Sequence, residues 1–233
     1  MLYPYQPTGG SSSSVSSEIY PDDYSEIYAD FLETGTTPFQ NAAGGAGAAA
    51  SNWNTQLNYA GHPGTVRLTT GTTTTGYGTV FGQYIYINAG CTYKTCIRIE
   101  DLSTAGEEFV ITAGYGNSAT GADHVNGIYF KYKRTVSTKW LMCAVSFATG
   151  LETETATTVD VAEDTWISLE LSLSADRGTV TYVINGTTVG TVTTNIPTNA
   201  SDVLAHTRVV KSAGTTARLV QLDYIYDKQI SSR

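Results

Sequence analysis

The chain has 233 residues, of which 41% are hydrophobic and only 15% charged, and its net charge is −8. That length suits one large domain, or one domain with a tail, and the apolar fraction is enough to fill a core. The acidic balance excludes nucleic acid or an anionic membrane as the main partner, since both demand a basic face.

Sixteen tyrosines and 23 glycines against two methionines are the usage of a β-protein, because aromatic and β-branched side chains fit half-buried pleated surfaces. The opening "MLYPYQPTGG" has neither the positive nor the apolar stretch of a signal peptide. No run approaches the ~20 apolar residues of a membrane span, so no membrane insertion is expected. The serine-, proline- and glycine-rich start cannot form a core of its own. Residues 1–25 are expected to be an extended attachment arm that presents Tyr3, Tyr5, Tyr20 and Tyr24 to a partner. A tyrosine brings apolar area together with a hydrogen-bonding tip.

The folded domain is expected over residues 26–233. "PDDYSEIYADFLETG" admits a short helix through Ile27 and Phe31, or a strand, and the strand agrees better with the rest of the chain. "TTPFQNAAGGAGAAASNW" reads as a long irregular loop, since an alanine/glycine tract lacks periodic apolar anchors. His62 stands before Pro63 and Gly64, residues that punctuate the entry to a strand. It is expected to be structural, buried or capping that turn.

Short alternating segments follow. "TVRLTTG" sets Val66 and Leu68 against Arg67 and Thr69, and "TCIRIEDL" sets Cys96, Arg98 and Glu100 against Ile97 and Ile99. "EEFVITAGYG", "NGIYFKYKR" and "KWLMCAVSF" come next, and Glu152 and Glu154 read as part of a solvated loop. In "DTWISLELSLS", Trp166, Ser168 and Glu170 oppose Ile167, Leu169 and Leu171. Trp166 and the Ile167/Leu169/Leu171 face are expected to pack into the interior. Asn185-Gly186 is the dipeptide of a type I′ hairpin. Asp223 and Asp227 look ordinary for a final strand and its exit. Many short strands with glycine-rich turns and no long helix indicate an all-β antiparallel sandwich or barrel.

Three cysteines are an odd number, and Cys91 and Cys96 flank a turn-like "TYKT" with no histidine or second cysteine pair to complete a zinc pattern. Buried free thiols are expected, with no metal and no cofactor. The polar loop "AGYGNSATGADHVNGIYF" carries Tyr115, Asn117, Asp123, His124 and Asn126. These suit a sugar, or could offer oxygens to Ca²⁺, although a long polar loop is commonly a solvated connection. No paired carboxylates with glycosidase spacing, phosphate loop or nucleophile elbow is apparent. No catalytic residue is therefore assigned.

"TWISLELSLSADRGTVTYVINGTTVGTV" resembles the hairpin of concanavalin A-like (laminin-G-like) jelly rolls. "AGHPGTVRLTTGTTTTGYG", with "ADFLETG" and the closing "RLVQLDYIYDKQISSR", is similar to such domains in tailed-phage virion proteins. The resemblance implies a jelly roll with an N-terminal arm. It further implies a non-enzymatic virion component, a head decoration, head fibre or tail-fibre protein, assembled in the host cytoplasm. Its partners would be other virion proteins and copies of itself, as a trimer. The alternatives are a carbohydrate-binding adhesin module for host glycans and, third, a polysaccharide lyase or hydrolase.

Overall fold

The structure, a computed structural model, describes residues 24–31, 39–50, 59–87, 90–197 and 202–230. Tyr3, Tyr5 and Tyr20 lie outside them. The described residues form β1 (Tyr24–Ala29), β2 (Gln40–Gly44), β3 (Ala49–Ala50), β4 (Val66–Thr69), β5 (Gly76–Tyr86), β6 (Cys91–Ile99), β7 (Phe109–Gly116) and β8 (Gly127–Lys133). They continue as β9 (Lys139–Ser146), β10 (Leu151–Asp160), β11 (Trp166–Leu173), β12 (Val180–Ile184), β13 (Thr187–Val192), β14 (Asp202–Lys211) and β15 (Leu219–Ile230). Among the described residues no helix is long and apolar enough to cross a membrane.

Two antiparallel sheets stack face to face as a jelly roll. The first has the order β13-β12-β11-β6-β15-β4-β3, with β1 also paired to β15; the second runs β10-β9-β8-β7-β14-β5-β2. Alternation decides what fills the space between them. Leu68, Tyr93, Ile97, Leu169, Leu171 and Tyr182 point inward from the first sheet and are fully buried. Ile111, Tyr115, Phe130 and Trp140 meet them from the second. Burying each such side chain contributes about 1.5–3 kcal/mol. The hairpin between β12 and β13 turns at Asn185 (φ 49°) and Gly186 (φ 76°), the two positive angles that a type I′ turn requires.

Several expectations are corrected. Tyr24, assigned to the arm, is the first residue of β1, and its backbone pairs with Ile230. The alanine/glycine tract is not all loop, because β2 joins β5 in the second sheet and β3 joins β4 in the first. Small side chains are what allow this crossing between sheets: a Cβ on Gly71 would lie 2.3 Å from the Ala48 nitrogen. "TYKT" is no turn but the middle of β6, and Glu152 and Glu154 belong to β10. Asp227 is buried inside the sandwich, where it accepts the Tyr115 hydroxyl at 2.6 Å. Trp166 does not enter the core. Leu169 and Leu171 point inward, so the alternation of β11 sends Trp166, Ser168 and Glu170 to the outer face.

Candidate functional site

The outer face of the first sheet gathers polar and aromatic side chains from three neighbouring strands. Trp166 lies opposite Arg98, Ser168 opposite Cys96 and Glu170 opposite Lys94. On the other side of β6, Gln221 faces Arg98 and Tyr224 faces Cys96. Between Leu222 and Tyr224 the register of β15 slips. Leu222 and Ile225 are both fully buried, so the extra residue leaves Asp223 and Tyr224 together on the outer face. Bulges re-aim side chains in this way and are common beside functional sites.

The His-Pro-Gly turn closes over this bulge. A tight turn, with the His62 amide donating to the Tyr59 carbonyl at 2.9 Å, brings both side chains down onto the sheet. Gly61 and Gly64 have φ of 82° and 76°, which explains glycine at both places. His62 stacks on Trp166 with ring centroids 4.1 Å apart, and Tyr59 meets the same indole edge-on at 5.8 Å. The Nδ1 of His62 lies 2.8 Å from Asp223 Oδ2. Cys96 lies beneath the pair: donor atoms of His62, Cys96 and Asp223 are all within 4.8 Å of one another. Burial pushes the Cys96 thiol up to about 12, and the negative charge of Asp223 adds to that. His62 and Asp223 remain 23% and 17% exposed, so the cluster is reachable from solvent.

Around it runs a polar network. Arg98 donates to Gln221 Oε1 at 2.9 Å and to Asp164 at 2.5 Å, and its guanidinium sits 5.0 Å from the centre of the Tyr59 ring. Gln221 donates in turn to Glu100 at 2.6 Å and to the Tyr59 hydroxyl. Further along the same face, Tyr28 packs against Tyr224 at 5.9 Å, and Lys94 lies over Tyr226 while pairing with Glu170. Tyr28 is 54% exposed.

The polar loop singled out in the sequence behaves differently. Residues 117–126 fold back over the outer face of the second sheet and seal it. Arg208 holds the loop there by donating to the carbonyls of Thr120 (2.7 Å) and Ala122 (2.6 Å), while its Nε reaches Thr112 at 2.8 Å. His124 and His206 meet Nε2 to Nε2 at 3.0 Å, buried, with Thr112 2.9 Å from His206. Burial drives His206 down to about 3 and His124 well below its usual value, and the positive charge of Arg208 acts in the same direction.

Most of the proposed glycan contacts are therefore occupied. Tyr115 is fully buried, with its hydroxyl on Asp227. Asn117 accepts from the amides of Val125 and Asn126, and Asn126 accepts from the Phe147 amide. Of the five, Asp123 alone is exposed. With the side-chain oxygens of both asparagines committed to backbone amides, the loop does not offer the oxygen shell that Ca²⁺ requires.

Two clusters among the described residues have the geometry to hold a metal ion: His62/Cys96/Asp223 and Cys143/Glu152/Glu154. In the second, Lys131 already bridges Glu152 (3.1 Å) and Glu154, and Tyr129 donates to Glu152 at 2.6 Å. Sequence reasoning missed the first cluster because its members are far apart along the chain. The available signals were Cys96 on the polar side of "TCIRIE" and Asp223 in a strand whose alternation breaks.

A family model described as SO2946-like, C-terminal domain, matches residues 61–223. A protein of unknown function, SO2946 from Shewanella oneidensis MR-1, has the same fold with a TM-score of 0.70 at 13% identity, over 98% of this chain and 99% of that one. The carbohydrate recognition domain of Emp47p superposes with a TM-score of 0.57 at 7% identity, covering 94% and 99%. An endo-1,3-beta-glucanase from Streptomyces sioyaensis does so with a TM-score of 0.57 at 11%, covering 97% and 100%. At such identities the likeness establishes the concanavalin-like jelly roll and nothing finer. No curated protein sequence matches at a significant level.

These findings overturn the expectation of a non-enzymatic phage virion component, with its decoration and tail-fibre labels. The matching family is SO2946-like, and the folds it shares belong to carbohydrate recognition domains and carbohydrate-active enzymes. The exclusion of enzyme chemistry falls with it, since several proteins of this fold are carbohydrate-active enzymes and His62, Cys96 and Asp223 form a cluster that could hold a metal ion. The hairpin specifies a fold, and that fold serves many functions; most of the His-Pro-Gly/threonine segment that suggested the virion reading lies within the SO2946-like match.

Proposed function

The chain belongs to the SO2946-like family, and from that premise we propose that it is a carbohydrate-binding module that takes a neutral oligosaccharide across the outer face of the first sheet. One observation carries this reading. Trp166, Tyr59, Tyr224 and Tyr28 form an aromatic strip bordered by Arg98, Glu100 and Asp223, with the buried Gln221 holding Arg98, Tyr59 and Glu100 in place. Sugars present apolar C–H faces to rings and vicinal hydroxyls to paired polar groups, so such a surface answers both. The carbohydrate recognition domain named above shares the fold that displays it. A neutral ligand fits better than a uronate. Arg67, Lys94 and Arg98 are already matched with Glu100, Glu170 and Asp164, so an anionic sugar would have to displace a carboxylate.

The test is a panel of neutral and acidic oligosaccharides titrated calorimetrically against the full chain. Trp166→Ala and Tyr28→Ser should each weaken binding roughly 5-fold, the loss of about 1 kcal/mol of ring contact. Binding unchanged in both variants, or confined to acidic sugars, removes the proposal.

A second reading, catalysis on the bound sugar, is favoured by the His62–Asp223 pair. A ring nitrogen held by a carboxylate is the base–orienter arrangement of hydrolytic sites. Release of new reducing ends or acyl groups that is lost in both His62→Ala and Asp223→Asn would support it.

A further inference from the structure

We propose that His62, Cys96 and Asp223 form a binding site for a divalent transition-metal ion of the Zn²⁺ class. The site is independent of the glycan reading and uses three ligands from three different elements: the 59–62 turn, β6 and β15.

The donor set identifies the ion. Imidazole nitrogen, thiolate sulfur and carboxylate oxygen suit a borderline-soft cation and exclude Ca²⁺ and Mg²⁺, which take oxygen ligands. A tetrahedral ion with bonds of roughly 2.0–2.3 Å requires donors about 3.3–3.7 Å apart. Here His62 and Asp223 stand at 2.8 Å, and all three donors lie within 4.8 Å. Rotation of the His62 and Asp223 side chains, both partly exposed, is enough to open the short edge and close the long one. Among the described residues neither makes a second side-chain hydrogen bond, whereas Cys96 is fixed in the centre of the sheet between Ser168 and Tyr224.

Charge balance agrees. One thiolate and one carboxylate neutralise a divalent ion, and Arg98 is already matched by Asp164. On binding, the metal–sulfur bond replaces the S–H bond, and the thiol proton leaves to solvent. The ion therefore releases at least one proton when it binds, as deprotonated ligation demands. Three protein ligands would leave the fourth position of a tetrahedral ion free, the arrangement of zinc sites that retain an exchangeable water. The other acid–thiol cluster makes an internal comparison. Cys143 is flanked by Glu152 and Glu154, but Lys131 already holds both carboxylates. Its ammonium supplies the positive charge an ion would bring, so that cluster should stay empty.

The experiment titrates Co²⁺ into the reduced full-length chain and follows its absorption, with Zn²⁺ as competitor. The expected result is one Co²⁺ per chain, with a thiolate-to-cobalt charge-transfer band and the intense visible bands of a tetrahedral ion, both erased by Zn²⁺. Cys96→Ser should abolish the charge-transfer band, and His62→Gln or Asp223→Asn should weaken binding by at least ~10-fold. Cys143→Ser should change neither. Cys96→Ser keeps the size of the side chain, and circular dichroism of each variant checks the fold. Should Cys96→Ser misfold, the His62→Gln arm still decides, because it alters only a turn residue. Absence of a thiolate band in the native chain, a band that survives Cys96→Ser, or affinity unaffected by both His62→Gln and Asp223→Asn would each overturn the site.

Discussion

The two outer faces of the sandwich carry similar chemistry in opposite states. On the first sheet a histidine, a carboxylate, a thiol and an arginine lie beneath a short turn and remain within reach of solvent. On the second, a histidine, an arginine and a threonine lie beneath a ten-residue loop that brings a second histidine down onto them and shuts water out. His62 has a carboxylate 2.8 Å away, whereas His124 and His206 meet each other, Thr112, the Leu204 carbonyl and the Tyr129 ring, with the Arg208 guanidinium bound to the same Thr112. An imidazole beside a carboxylate and open to solvent can exchange protons or bind an ion. An imidazole pair buried beside a positive charge is held neutral and serves packing. Coverage, more than residue type, separates the candidate site from the structural one.

The sharpest way to break this contrast is acid. His206 is held near 3 against an ordinary 6.5, and His124 is lowered in the same direction. Their folded values lie below the unfolded ones, so the unfolded chain takes up protons first as the pH falls below 6.5. Stability is then lost, by about 5 kcal/mol for His206 alone once its folded value is passed. Asp227 works against this. Burial raises it from 3.8 to about 6, so its contribution is greatest at acid pH and falls as pH rises through 6. Between pH 6 and 4 His206 and Asp227 offset each other, and the lowered value of His124 gives a net downward slope of stability as the pH falls. Urea unfolding at a series of pH values should show that slope, while the ring signals of His206 stay unshifted by NMR down to pH 4. A flat stability profile would mean that the loop does not seal the pair.

Next in size is removal of the loop's anchor. Arg208→Ala withdraws donors from Thr112 and two carbonyls and should cost about 3 kcal/mol. Amide hydrogen exchange over residues 117–126 should accelerate, with the first sheet unaffected. Equal acceleration across both sheets would indicate general unfolding.

Asp227→Asn should act in the opposite direction, stabilising the chain by about 1–2 kcal/mol at pH 8. The amide no longer places a charge in the core, and its oxygen still accepts from Tyr115. The advantage should vanish at pH 4, where Asp227 is itself protonated, and a gain that persists there would refute the burial argument. The smallest effect belongs to the open face. His62→Ala removes a partly exposed pair and should change stability by less than about 1 kcal/mol, yet it should impair any ligand or metal chemistry there. A loss comparable to that of Arg208→Ala would make His62 a packing residue like His124.

Much of the architecture can be read directly from the residues. Alternation at period two in "TVRLTTG", "TCIRIEDL" and "DTWISLELSLS" distinguishes inward from outward positions, because a strand leaves each side chain no other choice. Asn185-Gly186 announces its hairpin because few other residues accept two successive positive φ angles. Three unpaired cysteines are present and buried, as their number and spacing indicated. Which outward positions matter is another question, and the linear order is silent on it. His62 and Asp223 are 161 residues apart and come together only because β15 pairs with β6 and slips by one residue at the bulge. Trp166 looked like core by its size and became a platform by its register. Tyr115 and Asn126 looked like ligands by their polarity, and folding assigned them to the interior and to a backbone amide. Local pattern determines which side of a strand a residue occupies. Strand pairing, bulges and loop closure decide which residues share a site and whether water can reach it.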